Sequence, residues 1–351
     1  MGANFSRMGS IGALLVLSWA VMSTAWAAPR VLTAGIGLNA DTPQGKAMQR
    51  FADTVQAKTQ GRLRIELHPS GQLGDDMKMV KALQAGQQDI TCPDSSTLAP
   101  LVKDFSAINY PFTFLNTAEA DAILDGDWGQ RVLAKLPEQK LVGLAFWENG
   151  FRHLTNSRRP IEHLREASGV RVRVMQNQML IDSFRQMGFD AVPMPFPKVY
   201  DALKSKEVDG QENPLPTILS SRFYEVQPYL TLSRHVYSAF VLLISKQTWD
   251  SLPPADRAIL TSAAVEARDE QRRMNREMTA AALDQLKARG MKVSNIDVQE
   301  AESVRRQLRD VLDHYNRDIG EGAVVSMYID LSRLRTQGAG SSSAVARQAS
   351  K

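Results

Sequence analysis

Three short segments place hydrogen-bonding side chains in otherwise apolar surroundings: Trp147-Glu148-Asn149-Gly150-Phe151-Arg152, Arg171-Val172-Arg173-Val174-Met175 and Asp209-Gly210-Gln211-Glu212-Asn213-Pro214. In the second, strand alternation sends Arg171 and Arg173 to one side and Val172 and Val174 to the other. An arginine in such a strand is either surface decoration, the commoner case, or a fixed cation aimed into a cleft. A fixed guanidinium does recognition chemistry, meeting a carboxylate with two parallel charge-assisted hydrogen bonds. Reaction chemistry has less footing. His68, His153, His163, His235 and His314 fall in separate predicted elements, none with a metal-ligand partner at helical or turn spacing, so each reads as a surface or core residue. No GxSxG, P-loop or HExxH occurs, and Gly35-Ile36-Gly37 lacks the third glycine of a dinucleotide fingerprint. Neither metal nor cofactor is expected, although an enzyme with dispersed catalytic residues stays open.

The elements that must position these side chains alternate. Arg30 to Leu38 reads as a buried strand, and Pro43 opens a helix with Met48, Phe51, Ala52 and Val55 on one face. Leu63 to Leu67 alternates at strand period, Met77, Val80 and Leu83 mark a second helix ending at Gly86, and Asp89 to Cys92 is a short strand. This β-α-β-α-β opening implies a largely parallel sheet covered by helices. The pattern returns after residue 150, with strands predicted at Arg171 to Met175, Ala191 to Met194 and Val208 to Gln211. Two α/β lobes follow, and open α/β sheets bind ligands beyond the carboxyl ends of their strands. From Pro254 to Arg289 no internal Pro or Gly interrupts a helix of about 54 Å, longer than one lobe is wide, so it touches both.

The chain as a whole narrows the function classes. Residues 1–27 have the parts of a secretory signal: Arg7 in a polar start, an apolar run from Ile11 to Met22, and Ala25-Trp26-Ala27 as the cleavage site. The run is too short for a permanent membrane anchor. The expected product is periplasmic and soluble, with a mean hydropathy of −0.26. The 42 basic and 38 acidic residues are interspersed, and loss of Arg7 with the leader lowers the net charge of +4 by one, so nothing resembles a nucleic-acid footprint. Cys92 is the one cysteine, which rules out an internal disulfide. The tail from Gln337 to Lys351, rich in Gly, Ser and Ala, is expected to be disordered.

At these residues the chain resembles the solute-binding proteins of tripartite ATP-independent periplasmic (TRAP) transporters, of the C4-dicarboxylate-binding type. The resemblance covers essentially the whole chain after the leader. It rests on Pro69-Ser70-Gly71-Gln72-Leu73-Gly74-Asp75-Asp76, Gly169 to Val174, Val199-Tyr200-Asp201-Ala202-Leu203, Val208 to Pro214 and Tyr224-Glu225-Val226-Gln227, in the family's order and spacing. It implies an α/β, two-lobed periplasmic-binding-protein-like fold with an interlobe cleft, long lobe-crossing strands and a long helix spanning both lobes. The expected division is 28–149 with about 240–277 for the first lobe and 150–239 with about 278–336 for the second. It further implies that Arg173 pairs with a ligand carboxylate, that Arg152 is a second carboxylate contact, that Asn213 is a donor beside it and that Phe196 is an apolar wall. From the first lobe Asn39, Asp76 and Asp94 match cleft positions in relatives that bind polyhydroxylated acids. The family's partners are membrane permease subunits, with no ATP requirement, and the protein is expected to be a monomer. One departure is Lys198, where relatives commonly carry an acid.

Asp76 and Asp94 disfavour a second ligand carboxylate and favour hydroxyls that donate to them. The expected ligand is therefore a sugar acid, a uronate or aldonate, with a C4-dicarboxylate such as malate, succinate or fumarate as the alternative. An exported enzyme acting on the same acids, or the soluble sensor of a membrane receptor, are the readings from other classes.

Overall fold

The computed structural model describes Met1 and residues 28–349, so the expected leader, its first residue apart, lies outside the described residues. Among the described residues eleven strands form two sheets. Those of the first sheet are β1 (Arg30–Gly35), β2 (Leu63–His68), β3 (Ile90–Thr91), β4 (Leu141–Phe151) and β10 (Tyr237–Ser245), in the order β2-β1-β3-β10-β4. The second sheet holds β5 (His153–Asn156), β6 (Arg171–Val174), β7 (Asp190–Pro193), β8 (Gly210–Asn213), β9 (Tyr229–Leu232) and β11 (Lys292–Asn295), in the order β11-β9-β5-β8-β6-β7. The β1–β2 and β1–β3 pairs are parallel, as the opening β-α-β-α-β pattern predicts. β10 then runs antiparallel to both β3 and β4.

The lobes are joined where strands change sheets. β4 passes into β5 at Arg152, and β9 returns into β10 through residues 233–236, with the Arg152 amide donating to Val236 O at 2.8 Å between the two crossings. β4 is bulged: Gly150 pairs with Ser238 and Glu148 with Ala239, which leaves Asn149 as the extra residue. Gly150 takes φ 113°, a conformation glycine reaches without strain, and the bulge turns the Asn149 side chain towards the cleft.

The Pro254–Ala288 helix, 35 residues and about 52 Å long, is the third connection. Leu260, Ala263, Ala264 and Ala267 join the first-lobe core around Phe51 and Trp147, whereas Ala282 and Leu286 join the second-lobe core around Phe223 and Leu230. Between these stretches its buried face turns polar. Gln271 exchanges both amide hydrogen bonds with the Glu148 backbone, at 2.8 and 2.7 Å, and Asn275 and Arg276 hold the Glu148 carboxylate. The helix therefore binds the boundary through hydrogen bonds that an apolar face could not supply.

Two expectations for the C-terminal region need correction. The last helix, Glu321–Ala349, runs through the tail expected to be disordered. Gly338, Gly340 and Ser341 to Ser343 are weak helix formers, so the continuation rests on extending a helix that is already nucleated. The second lobe is expected to reach residue 336, yet Val324, Met327 and Leu331 on this helix are buried in the first-lobe core with Leu124 and Trp128. Trp128 Nε1 donates to Ala323 O at 2.8 Å. Hydropathy marks a buried face without saying which partner covers it.

Candidate functional site

A cavity of about 90 Å³, partly open to solvent, lies between the lobes. Arg173, Arg152, Asn213, Phe196, Asp76 and Asp94 all line it. Asn39 does not: it is exposed in the loop before the first helix, where its Oδ1 accepts from Ser70 Oγ at 2.9 Å. Lys198 is also exposed and outside the cavity.

Arg173 is on β6, between β7 and β8 and opposite Val192 and Gln211. Its neighbour on the same face, Arg171, is half-exposed and paired with Asp209, so alternation set the face and position along the strand set the burial. Arg173 is 3% exposed, and its Nε donates to Met194 O at 2.8 Å. Among the described residues its two Nη groups have no hydrogen-bond partner, and it forms no salt bridge. Burial pushes its pKa down to about 10; the field of Glu212 opposes this and that of Arg152 adds to it, and the group stays charged at neutral pH. A buried cation without a carboxylate of its own is costly, and an anionic ligand removes that cost. The loop that accepts from Nε continues into Phe196, so one segment both orients the guanidinium and walls the cavity.

Arg152 is differently placed. Its Nε and Nη2 form a two-point pair with the Glu212 carboxylate, Nη2 also donates to Glu212 O at 2.7 Å and Asn213 Oδ1 at 3.2 Å, and Nη1 donates to Ser238 Oγ at 3.2 Å. Most of its donors are thus committed to protein acceptors. Burial would raise the Glu212 pKa, but Arg152 and His235 outweigh it and hold the carboxyl at about 2. Sequence reading gave Glu212 no role. Its partners lie on two other segments, Arg152 on the outward crossing and His235 on the return, and no local spacing signals them. Met175, two residues beyond Arg173 and just past the end of β6, lines the cavity too, as continuation of the strand period predicts.

The first-lobe wall is acidic. Asp94 caps the Ser95–Leu98 helix through Ser96 N at 2.9 Å, and its Oδ2 accepts from Asn149 Nδ2 at 2.9 Å. The Asp94 amide donates to Asp76 Oδ2 at 3.1 Å. Burial raises the Asp76 pKa to about 7; that hydrogen bond and Arg173 oppose the rise, and the charges of Asp94 and Asp75 add to it. A carboxyl whose folded pKa lies above its unfolded value of 3.8 costs stability when ionised, a cost that grows from pH 4 to 7 and is complete above 7. In ligand-free protein, Asp76→Asn should therefore melt with wild type at pH 4 and above it at pH 8. A melting-temperature difference independent of pH would contradict this assignment. Across the cleft floor Asn177 Nδ2 donates to Ser96 O at 3.1 Å, so the lobes already touch there.

Residues 34–318 match the family described as bacterial extracellular solute-binding protein, family 7. The chain is 32% identical over 320 residues to the 2,3-diketo-L-gulonate-binding periplasmic protein of Escherichia coli (strain K12), covering 91% of this chain and 97% of that one. It is 29% identical over 322 residues to the C4-dicarboxylate-binding periplasmic protein of Rhodobacter capsulatus, covering 91% and 96%. Among solved structures, the sugar acid binding protein of Advenella mimigardefordensis strain DPN7T in complex with galactonate matches with a TM-score of 0.85 and 40% identity, covering 87% of this chain and 98% of that one.

Proposed function

This chain belongs to the bacterial extracellular solute-binding proteins of family 7, the TRAP type, and from that premise we propose that its cleft captures a sugar acid, a uronate or aldonate, through the Arg173 guanidinium. The observation that carries the reading is the pair of Arg173 Nη groups, held in a buried cavity with Nε committed to Met194 O and no protein carboxylate opposite. A ligand carboxylate fits that pair with two parallel hydrogen bonds. Asn213 accepts from Arg152 at Oδ1 and donates one Nδ2 hydrogen to Gln211 Oε1, which fixes its amide and leaves the second Nδ2 hydrogen to donate to the ligand. Arg152, locked on Glu212, contributes mainly charge and position. Asp76 accepts from ligand hydroxyls on the first lobe, and Phe196 covers the carbon chain.

Binding that touches both lobes stabilises the closed state in preference to the open one, which is how ligand sets a two-lobed equilibrium. The protein then delivers the acid from the periplasm to membrane subunits of the transporter, as TRAP-type proteins do, and performs no catalysis. The neutral state of His153, whose pKa burial lowers to about 3, also removes it as a proton donor at neutral pH. The similarity to a C4-dicarboxylate-binding relative keeps succinate as the alternative ligand. A thermal-shift screen decides between them: galactonate and glucuronate should raise the melting temperature more than succinate, malate or fumarate, and stabilisation by succinate with none by any sugar acid would refute the choice.

A further inference from the structure

Gln44 stands second in the Pro43–Lys58 helix, at the edge of the cleft. Thr42 caps that helix through Gly45 N at 3.1 Å, and Gly45 abuts the preceding loop so closely that a Cβ there would lie 2.5 Å from Asn39 O. The position of Gln44 is accordingly fixed by its neighbours on both sides. Its side chain is 2% exposed, and Nε2 donates to Cys92 O at 2.8 Å. The carbonyl of Cys92 decides the orientation of the amide, because a turned amide would set two acceptors against each other. Oε1 is thereby directed away from Cys92, and it is buried with no hydrogen-bond partner among the described residues. Such an acceptor costs stability until a donor reaches it.

Gln44 also borders a second, water-sized cavity of about 10 Å³, which shares Leu38, Asn149, Thr217 and Phe240 with the main cleft. The two spaces adjoin, and Gln44 lies where they meet. Arg173 belongs to the opposite lobe, so a ligand held there by its carboxylate presents its far end to the Gln44 wall. Asp76 and Asp94 make that wall rich in acceptors. A hydroxyl donates to these carboxylates, whereas a second carboxylate is repelled by them and gains a donor there only from the protonated fraction of Asp76.

We propose that Gln44 Oε1 accepts a hydrogen bond from a hydroxyl on the ligand's tail, which makes Gln44 a specificity-determining residue favouring polyhydroxylated acids over plain dicarboxylates. This rests on the sugar-acid reading of the cleft. The test is calorimetric titration of wild type, Gln44→Met and Gln44→Asn with galactonate and with succinate. Methionine keeps the volume and removes the acceptor; asparagine keeps an amide and withdraws it, so the comparison survives if one variant does not fold. Both variants should bind galactonate at least about tenfold more weakly, from the loss of one buried hydrogen bond, with succinate affinity unchanged. Equal losses for both acids would reduce Gln44 to a packing residue and overturn the proposal, as would no loss for either. Tight galactonate binding that the variants do not alter removes the Gln44 contact alone. A wild type that binds succinate and no polyhydroxylated acid removes the sugar-acid reading with it.

Discussion

Arg173→Ala should lose ligand binding almost completely while the protein keeps its fold. The ligand carboxylate would enter a buried cavity without its main partner, and truncating one side of a buried charge pair costs about 2–5 kcal/mol, or roughly 30- to 5,000-fold in Kd. The fold should survive because the side chain makes one hydrogen bond, to Met194 O, and burial without a counter-charge makes it a net cost to the ligand-free state. The melting temperature of the ligand-free variant should therefore equal or exceed that of wild type. Arg173→Lys should also bind poorly, since an ammonium cannot form the two-point contact. Near-normal affinity in the alanine variant would sink the assignment.

Glu212→Gln should behave in the opposite way, damaging stability first. Arg152 would keep its buried charge and lose the carboxylate that faces it, and breaking one side of a buried ion pair typically costs about 3–5 kcal/mol. Arg152 and His235 come from the two strand crossings between the lobes, and Glu212 touches both. The loss should appear as a lower urea midpoint. It has a counterpart in acid: the Glu212 pKa is held at about 2, so its contribution is present above pH 4.5 and is lost as pH falls towards 2. A variant as stable as wild type at pH 7, with the same acid limb, would show that the pair contributes nothing net.

Much of this was legible in the residues. The β-α alternation, the long helix from Pro254 and the face of Arg173 are local properties, fixed by period, by Gly and Pro placement and by the branched residues between. What was not legible is the long-range partnering. β4 and β10 carry the lobe crossing, and although the run Ala239 to Ser245 has the apolar continuity of a buried strand, its antiparallel place between β3 and β4 depends on residues 90 to more than 150 positions away. The same limit explains Arg152. Its type and position suggest a ligand contact, and only the fold shows that Glu212 occupies its fork. Asn39 lies two residues beyond Gly37 and one beyond Leu38, both of which line the cleft, yet its side chain turns out to Ser70. Gln44 carried no signal at all, because an unpartnered acceptor exists only once the surrounding donors have been assigned.

A crystal structure of the protein with galactonate or glucuronate would test the carboxylate role of Arg173 most directly. The ligand carboxylate oxygens should lie about 2.7–2.9 Å from the two Arg173 Nη groups, with the hydroxylated tail towards Asp76 and Gln44. A bound acid whose carboxylate faces the first-lobe wall, leaving the Arg173 guanidinium without an anion, would contradict it.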